Sequence, residues 1–481
     1  PPVSDPRLLH KARPFQVKGS LTAERCAFQS AMSVWWLWEQ VDARSALIFI
    51  VVLLLVSDYL KHRDGKNFPP STIWVPFVGD LFKMASDQPH LYLAKVKTYG
   101  DIYSLRLGGS KLVIVNGYKM AKEALLTQGY ALTGRPNPAA YDRIYKMPGL
   151  TLSNGYTWKE HKRFTLSTLR NFGVGKKSLE SIIMEEAKFF VEAFEEERGQ
   201  PFDPHYLINN AVSNIICSIV LGHRFEYSDS HYRDIQHLMN RGVFLEGSWW
   251  AWVYSAFPRI MRYLPGRHNE LFSVYGKVLD FLRDEIRNHK KDLDPASLHD
   301  YIDTYLLEIE KRKDDPAAAF TEEALCSNTL DLFMAGSETT STTLRWALLF
   351  MVLNPQIQEK VQAEIDSVLS QTHLPSMEDK INLPHTEAVI HEIQRMGDIV
   401  PLNLFKMTVE DMTIGGYVIP KDTAVVINLN SILKDKSEWQ TPNTFNPAHF
   451  LTPDGKFRRR EAFMPFSAGN VNFIFAFIKW R

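Results

Sequence analysis

A long helical pattern over residues 321–353 limits the folds open to this chain. The pattern stops at Asn354-Pro355, and its first turn carries Glu322 and Glu323, where the helix dipole favours acidic side chains. At 1.5 Å per residue, this helix would be about 50 Å long. The chain of 481 residues is long enough for one large domain or for two to four ordinary ones.

The other patterns predict a mainly α domain with small β-sheets. Two strand patterns flank Gly108-Gly109 and predict a β-hairpin. The predicted helices include residues 118–126, 177–197 and 275–289, and the predicted strands include 102–107, 111–115, 412–419 and 423–429. No internal repeat and no Gly/Ser-rich linker divides residues 67–481, so we expect one domain there.

Composition excludes several classes of function. Lys+Arg and Asp+Glu are both 55, whereas a protein that binds nucleic acid non-specifically usually has an excess of basic residues. The three cysteines, Cys26, Cys217 and Cys326, form no C-x-x-C metal motif and are too few for a disulfide framework. Aromatic residues make up 12% of the chain, which suits a large apolar pocket.

The N-terminal region predicts a single membrane anchor within residues 32–66. Its apolar run, 46–56, is shorter than an ordinary span, so a buried helix or a signal-peptide core is the alternative. The flanking residues favour an anchor with a cytosolic domain, because aromatic residues precede the run and basic residues follow it. These are Trp35, Trp36 and Trp38 before the run, and Lys61, Arg63 and Lys66 after it. A stiff linker with Pro69, Pro70 and Pro76 comes next.

Residues 1–31 show neither a helical nor an alternating period, and the first methionine is Met32. We expect the natural protein to start there, with residues 1–31 as a non-native upstream extension. A genuine N-terminal extension is the alternative.

The long helix contains an unusual segment, Ala335-Gly336-Ser337-Glu338-Thr339-Thr340. A glycine inside a helix costs about 1 kcal/mol relative to alanine, and one use for it is close approach of a flat or small group. The acid and the hydroxyls beside it could then form a proton relay. The alternative, which this segment alone favours, is a packing glycine with threonine hydroxyls bonded to their own helix.

Three further motifs follow in the second half of the chain. Glu392 and Arg395 are spaced i, i+3 on a predicted helix, a spacing that usually means a surface ion pair. The segments F-N-P-A-H-F, 445–450, and F-M-P-F-S-A-G, 463–469, come next. Together and in this order, these motifs resemble those of the cytochrome P-450 superfamily of haem-thiolate monooxygenases. The resemblance covers the anchor, the proline linker and the domain up to Gly469, and it is strongest to the microsomal family-two enzymes, especially the J-type fatty-acid epoxygenases.

The resemblance implies a mainly α fold with small sheets and a role for each matching residue. Thr339 would help protonate iron-bound dioxygen, with Glu338 as its acidic neighbour and Gly336 widening the helix groove. Glu392 and Arg395 would form a buried structural network with the segment that holds His449. The implied haem contacts are Arg135, Trp158, Lys162, Lys406, Phe466 and Gly469. Lys162 stands where the family has arginine, so it keeps the charge and loses the bidentate fork. Lys406 lies in a segment, 404–408, that otherwise departs from the family pattern.

The haem loop departs from the family at the residue that matters most. Val471 stands at the family's arginine position and Phe473 at the position of the cysteine ligand. A phenyl ring cannot donate to iron, and the thiolate is what favours O–O cleavage in this chemistry. We do not expect Cys217, Cys326 or the histidines His385, His391 and His449 to replace it. The match stops at Gly469, which suggests an aberrant tail, 470–481, from an alternative last exon, and a catalytic domain, 67–469, that is truncated at its C-terminus.

The family's function would be the insertion of one oxygen atom into a lipophilic substrate. Polyunsaturated fatty acids such as arachidonic acid come first and xenobiotics second. The reaction would need haem, dioxygen and electrons from an NADPH-dependent reductase at the endoplasmic reticulum membrane. Because Phe473 replaces the ligand, we expect this chain to lack that activity. The alternatives are a truncated, membrane-anchored, non-enzymatic isoform and a redox-inert lipid-binding protein.

Overall fold

The computed structural model describes residues 42–84, 88–174, 177–315, 319–369 and 374–469. The expected start at Met32, the tryptophans of the anchor flank, Val471, Phe473 and the tail, 470–481, lie outside these residues. Clustering of contacts divides the chain after Arg63, so the N-terminal unit and the domain from Asp64 onward are described separately.

The predicted anchor forms a single helix, α1, Ala43–Lys61. The Asp42 side chain caps it by accepting a hydrogen bond from the Ser45 N–H at 2.8 Å. The helix is longer than the apolar run that predicted it, and its large apolar side chains are exposed. Within the part of the chain that the structure describes, it alone is long and apolar enough to cross a membrane.

The domain is mainly helical, as predicted. Its helices are α2 Leu81–Met84, α3 Pro89–Lys95, α4 Tyr118–Lys122, α5 Ala139–Ile144, α6 Gly155–Asn171, α7 Lys177–Glu196, α8 His205–Val220, α9 Ser230–Glu246, α10 Trp249–Ala256, α11 Pro258–Met261, α12 Arg267–Asp292, α13 Tyr301–Lys311, α14 Glu322–Leu353, α15 Pro355–Val368, α16 Pro384–Gly397 and α17 Leu429–Leu433. A π-helical turn, Glu123–Thr127, extends α4.

Two small sheets complete the domain. The predicted hairpin is present as β1, Ile102–Leu107, and β2, Ser110–Val115. Its sheet has the order β1-β2-β6-β3, in which β3 is Lys406–Met407 and β6 is Ala424–Ile427. The strand predicted at 412–419 is instead a second hairpin of β4, Met412–Ile414, and β5, Tyr417–Ile419, because Gly415 and Gly416 have positive φ and turn the chain. The strand predicted at 423–429 is shorter because α17 begins at Leu429.

Helix α14 confirms the prediction of a long helix and runs through the largest apolar core. The Thr321 hydroxyl caps it by accepting a hydrogen bond from the Ala324 N–H at 3.1 Å, and it ends before Pro355. Its N-terminal half is buried against α8, α12 and α13. The segment 335–340 lies near the middle of α14. The neighbouring helices α8, α12 and α13 hold α14 in place.

Candidate functional site

The structure brings Glu392, Arg395 and His449 together in a fully buried network. The Arg395 Nε and Nη2 atoms donate to the two Glu392 carboxylate oxygens, each at 2.7 Å, and neither side chain has exposed surface. The His449 Nδ1 atom lies 3.3 Å from both of these oxygens. Burial by itself would raise the pKa of Glu392, but the hydrogen bonds from Arg395 and His449 outweigh burial and lower it.

The guanidinium of Arg395 also joins α16 to the backbone between residues 433 and 444. It donates to the carbonyl oxygens of Leu433 and Pro442, both at 2.8 Å, and of Thr444 at 3.2 Å. The alternative of a surface ion pair is therefore wrong, since the pair supports three backbone carbonyls in the interior. This is the geometry expected of the structural network that the resemblance implies.

In the segment 335–340 of α14, Thr339 is bonded to its own helix and Glu338 is mostly buried. The Thr339 hydroxyl donates to the Ala335 carbonyl at 2.5 Å, and the Thr343 hydroxyl donates to the Thr339 carbonyl at 2.7 Å. Glu338 is mostly buried, and burial raises the pKa of its carboxyl, although Arg345 partly opposes the rise. The site therefore holds a carboxyl that takes up a proton more readily than usual, next to a hydroxyl bonded to its own helix.

Gly336 lets α8 approach α14 closely. A Cβ atom at this position would lie 2.5 Å from the Ile216 Cδ1 atom of α8, which is closer than real Cβ contacts come. The contact supports the alternative of a packing glycine. The widening of a groove for oxygen stays a prediction that this contact does not test.

Replacement of Gly336 by alanine should therefore destabilise the protein in spite of the better helix propensity of alanine. We expect a loss of about 1–3 kcal/mol in the free energy of unfolding, because the new methyl group overpacks the contact with Ile216. Urea denaturation followed by circular dichroism measures it. The matched control is Gly276→Ala in α12, where a Cβ atom would meet nothing within 4 Å. The control should gain up to about 1 kcal/mol. Equal effects at the two glycines would contradict the packing role.

Arg135 and Lys406 form a buried pair of cations. Their exposed fractions are 5% and 2%. The Arg135 Nη1 atom donates to the carbonyls of Leu404 and Phe405 at 3.3 and 3.0 Å, whereas its Nε atom has no partner among the residues that the structure describes. Burial lowers the pKa of Arg135 to about 10, and burial together with Arg135 lowers the pKa of Lys406 to about 7.

No carboxylate within the described ranges forms an ion pair with either cation. A buried positive charge without a counter-ion is costly, so this place fits a group that brings its own carboxylates. Haem carries two propionates, which arginine and lysine can bind. The residues present thus fit the carboxylate edge of that cofactor.

Trp158 and Lys162 lie one helical turn apart on α6. The Lys162 Nζ atom is 4.6 Å from the centre of the Trp158 ring, within the range of a cation–π contact. Trp158 is buried, and partial burial lowers the pKa of Lys162. Asn154, the residue just before this helix, fixes the backbone of Arg135. Its Oδ1 atom accepts a hydrogen bond from the Arg135 backbone N–H at 2.6 Å. Sequence reasoning missed Asn154.

Phe466 and Gly469, which the resemblance assigns to the haem loop, each lie against another segment of the chain. Phe466 is buried and packs against Ile399, Val400 and Leu404, in the segment just before Lys406. Gly469 has φ +88°, and a Cβ atom there would lie 2.4 Å from the Leu125 carbonyl oxygen. Only glycine meets both conditions without strain. The haem-loop role of these two residues stays a prediction that their packing does not test.

The two cysteines within the described residues, Cys217 and Cys326, have surroundings that do not suit metal binding. Cys217 is fully buried with its Sγ atom 3.2 Å from the Tyr232 hydroxyl, and the Cys326 Sγ atom contacts the Leu279 carbonyl at 3.7 Å. Burial raises the pKa of both thiols, to about 12 for Cys326. A thiol that resists ionisation is a poor metal ligand. The described residues thus fit the carboxylates of a haem, and neither of the two described cysteines offers a thiolate.

Two acids, the buried Asp331 and the partly buried Glu246, were also missed by sequence reasoning. Asp331 in α14 accepts a hydrogen bond from the Thr151 N–H at 2.8 Å, and Glu246 ends α9 near the hydroxyls of Tyr141 and Tyr275. Burial raises the pKa of each acid to about 7. For Asp331, a signal was available, since a lone acid in the apolar stretch T-L-D-L-F seldom lies inside a core without a partner.

A family model and several known proteins match most of this chain. A family model described as "Cytochrome P450" matches residues 69–472. The chain is 50% identical to "Cytochrome P450 2J2" of Homo sapiens over 434 residues, which cover 90% of this chain and 86% of the relative. It is 49% identical to "Cytochrome P450 2J1" of Oryctolagus cuniculus over 427 residues, 89% of this chain and 85% of the relative. It is 47% identical to "Cytochrome P450 2J3" of Rattus norvegicus over 434 residues, which cover 90% of this chain and 86% of the relative.

Proposed function

The chain belongs to the cytochrome P450 family, and from this premise we propose that it is a membrane-anchored member that does not carry out the family's monooxygenation with the residues it has. The family's activity is oxidation of lipophilic substrates with haem, dioxygen and electrons from a reductase. For an active chain of the J type, with the cysteine ligand in place, we propose polyunsaturated fatty acids as first substrates and xenobiotics as second. A chain of this type would act at the endoplasmic reticulum membrane.

The observation that carries the proposal is phenylalanine at position 473, where the family has the cysteine ligand. A phenyl ring has no lone pair for iron, and the thiolate supplies the electron density that the chemistry needs. The two described cysteines support the proposal, since both thiols are buried in the helical core with raised pKa values. Without a thiolate, a bound haem could not act as it does in active relatives.

The remaining site residues would still bind the carboxylates of a cofactor and hold the surrounding segments in position. Arg135 and Lys406 would hold two carboxylates against the sheet edge at β3, and Trp158 with Lys162 would flank them. Glu338 would hold a proton one residue from the Thr339 hydroxyl. The Glu392–Arg395–His449 network would keep the loop 463–469 in position. These roles are assigned by the family resemblance and are compatible with the contacts of each residue. With these roles, the domain would bind the carboxylates of a cofactor through Arg135 and Lys406.

A carbon-monoxide difference spectrum of reduced membranes tests the proposal. Membranes that contain this chain, with its level checked by immunoblot, should lack the strongly red-shifted band of a thiolate-bound haem. A variant in which residues 470–481 are replaced by the matching C-terminal segment of a 2J-type relative, with cysteine at 473, should show the band. A red-shifted band from the unaltered chain would overturn the proposal. The double variant Cys217→Ser/Cys326→Ser would then identify whether either thiol supplies it.

A further inference from the structure

A polar cleft opens between the segments 436–440 and 446–460 of the domain. Its volume is about 320 Å³, which is at the lower end of the range for pockets that hold small organic ligands. Four side chains that are charged at neutral pH contribute to its wall, namely Lys436, Glu438, Arg458 and Arg460. Three of these charges are positive and one is negative, so the cleft has a net charge of +2 and favours an anionic ligand.

The three cations of the cleft have no carboxylate partner within the ranges that the structure describes. Lys436 and Arg458 are exposed, and Arg460 is half-buried. The nearby acids already have other partners, which are Lys456 for Asp454, Lys122 for Glu461 and the Ser437 N–H for Asp435. Like charges that share one wall repel each other, so an anion bound among them is favoured.

Arg460 is held in position at the cleft wall. The centre of its guanidinium group lies 5.3 Å from the centre of the Trp439 ring, and its Nη2 atom donates to the Glu438 carbonyl. Trp439 is itself fixed, because it is buried and its Nε1 atom donates to the Ile432 carbonyl at 3.0 Å. In the described part of the chain, no other nitrogen atom of this guanidinium has a hydrogen-bond partner. An arginine positioned in this way can bind phosphate oxygens with its remaining N–H groups.

We propose that this cleft binds a phosphate monoester of a small polyol. A phosphate monoester carries a charge of about −1.5 to −2 at neutral pH, which matches the net charge of the cleft. Arg458 and Arg460 would donate to the phosphate oxygens, and Lys436 would supply a third positive charge. Inorganic phosphate alone would leave much of the cleft empty. The Ser437 hydroxyl and the Gln440 amide on the wall suit the hydroxyl groups of a polyol.

A phosphate monoester can reach the cleft from two sources. One is a soluble ester such as glycerol 3-phosphate, and the other is the headgroup of phosphatidic acid in a membrane, which has the same phosphate chemistry. The contacts that define the cleft involve neither haem nor the residue at position 473. The proposal therefore goes beyond the proposed function and does not depend on it.

Calorimetric titration of the full chain, in nonionic detergent at low salt, tests the site. Glycerol 3-phosphate should bind saturably, whereas glycerol should not bind. Arg458→Gln should weaken binding by about tenfold, because the variant loses charge-assisted hydrogen bonds to the phosphate. Lys436→Gln should act in the same direction and guards against a folding defect in the first variant. Arg459→Gln is the matched control, since Arg459 is exposed, adjoins both arginines and does not line the cleft, and its binding should be unchanged.

The same titration in phosphatidylcholine vesicles distinguishes the two sources. If added phosphatidic acid abolishes the binding of glycerol 3-phosphate, the lipid headgroup occupies the cleft. If binding is unaffected by the lipid, the soluble ester is the ligand. Either result supports the phosphate site.

The proposal is overturned if glycerol 3-phosphate does not bind saturably to the unaltered chain. An equal loss of binding in Arg458→Gln and Arg459→Gln would also overturn it, because a diffuse basic surface would then explain the attraction. In that case, displacement of the ester by polyglutamate would assign the surface to an acidic protein partner instead. These titrations do not involve the carbon-monoxide spectrum, so failure of this proposal is distinguishable from failure of the proposed function.

Discussion

Replacement of Arg395 by methionine is expected to lower the free energy of unfolding by about 3–5 kcal/mol. The change leaves the Glu392 carboxylate buried with only His449 and the Asn446 N–H beside it. It also removes the donors to the carbonyls of Leu433, Pro442 and Thr444. An uncompensated buried charge and several unpaired carbonyls both favour the unfolded chain. Urea denaturation of the detergent-solubilised chain, followed by far-ultraviolet circular dichroism, measures the change.

A surface pair with the same spacing supplies the control. Arg287 pairs with Asp284 at i, i+3 in α12, and the two side chains are 68% and 59% exposed. Arg287→Met should therefore change stability by no more than about 0.5 kcal/mol. If Arg395→Met cost as little as this control, the buried network would not be what holds α16 to residues 433–444.

The second large effect concerns the pH dependence that Lys406 imposes on stability. Its pKa is about 7 in the folded chain, compared with 10.5 for an ordinary lysine. Between these two values, the unfolded chain binds more protons at this residue than the folded chain does. Stability should therefore rise as the pH increases from about 7 towards 10.5, and the burial penalty should be complete below pH 7. Each unit of pKa difference corresponds to roughly 1.4 kcal/mol, so the effect should reach several kcal/mol.

Comparison with Lys406→Met isolates this residue from other groups that titrate in the same range. Without a bound carboxylate, the variant should be more stable than the unaltered chain near pH 7, and the two stability curves should converge as the pH approaches 10.5. Lys421→Met, at an exposed turn, should run parallel to the unaltered chain at every pH. Parallel curves for Lys406→Met as well would show that no buried positive charge exists at this position. Stability at each pH comes from urea denaturation in matched buffers.

Local pattern predicted the parts of the fold that local interactions determine. Helix α14 was predictable because Thr321 caps its start, and Pro355 cannot continue it. The first hairpin was predictable because two glycines separate two strand patterns. The break between β4 and β5 was missed, although Gly415 and Gly416 mark it, because the flanking residues by themselves suit one continuous strand.

The residues of the candidate site could be predicted only from several motifs taken together and in their order along the chain. The spacing of Glu392 and Arg395 suits a surface pair equally well, and only tertiary packing decides that both are buried. Arg135 and Lys406 come from distant parts of the chain, and the sheet pairing of β3 brings Lys406 towards Arg135. No local pattern could place two cations side by side in the core.

The sequence by itself determined the N-terminal apolar helix α1, the long helix α14, the order of the family motifs and the phenylalanine at position 473, because each of these depends on residue type and spacing. Tertiary structure decided which face of α14 meets which neighbour. It turned Gly336 towards Ile216 and buried the Glu392–Arg395 pair in the interior. These outcomes depend on the shapes of facing side chains from distant segments. Close packing makes such contacts specific, and a one-dimensional pattern does not contain them.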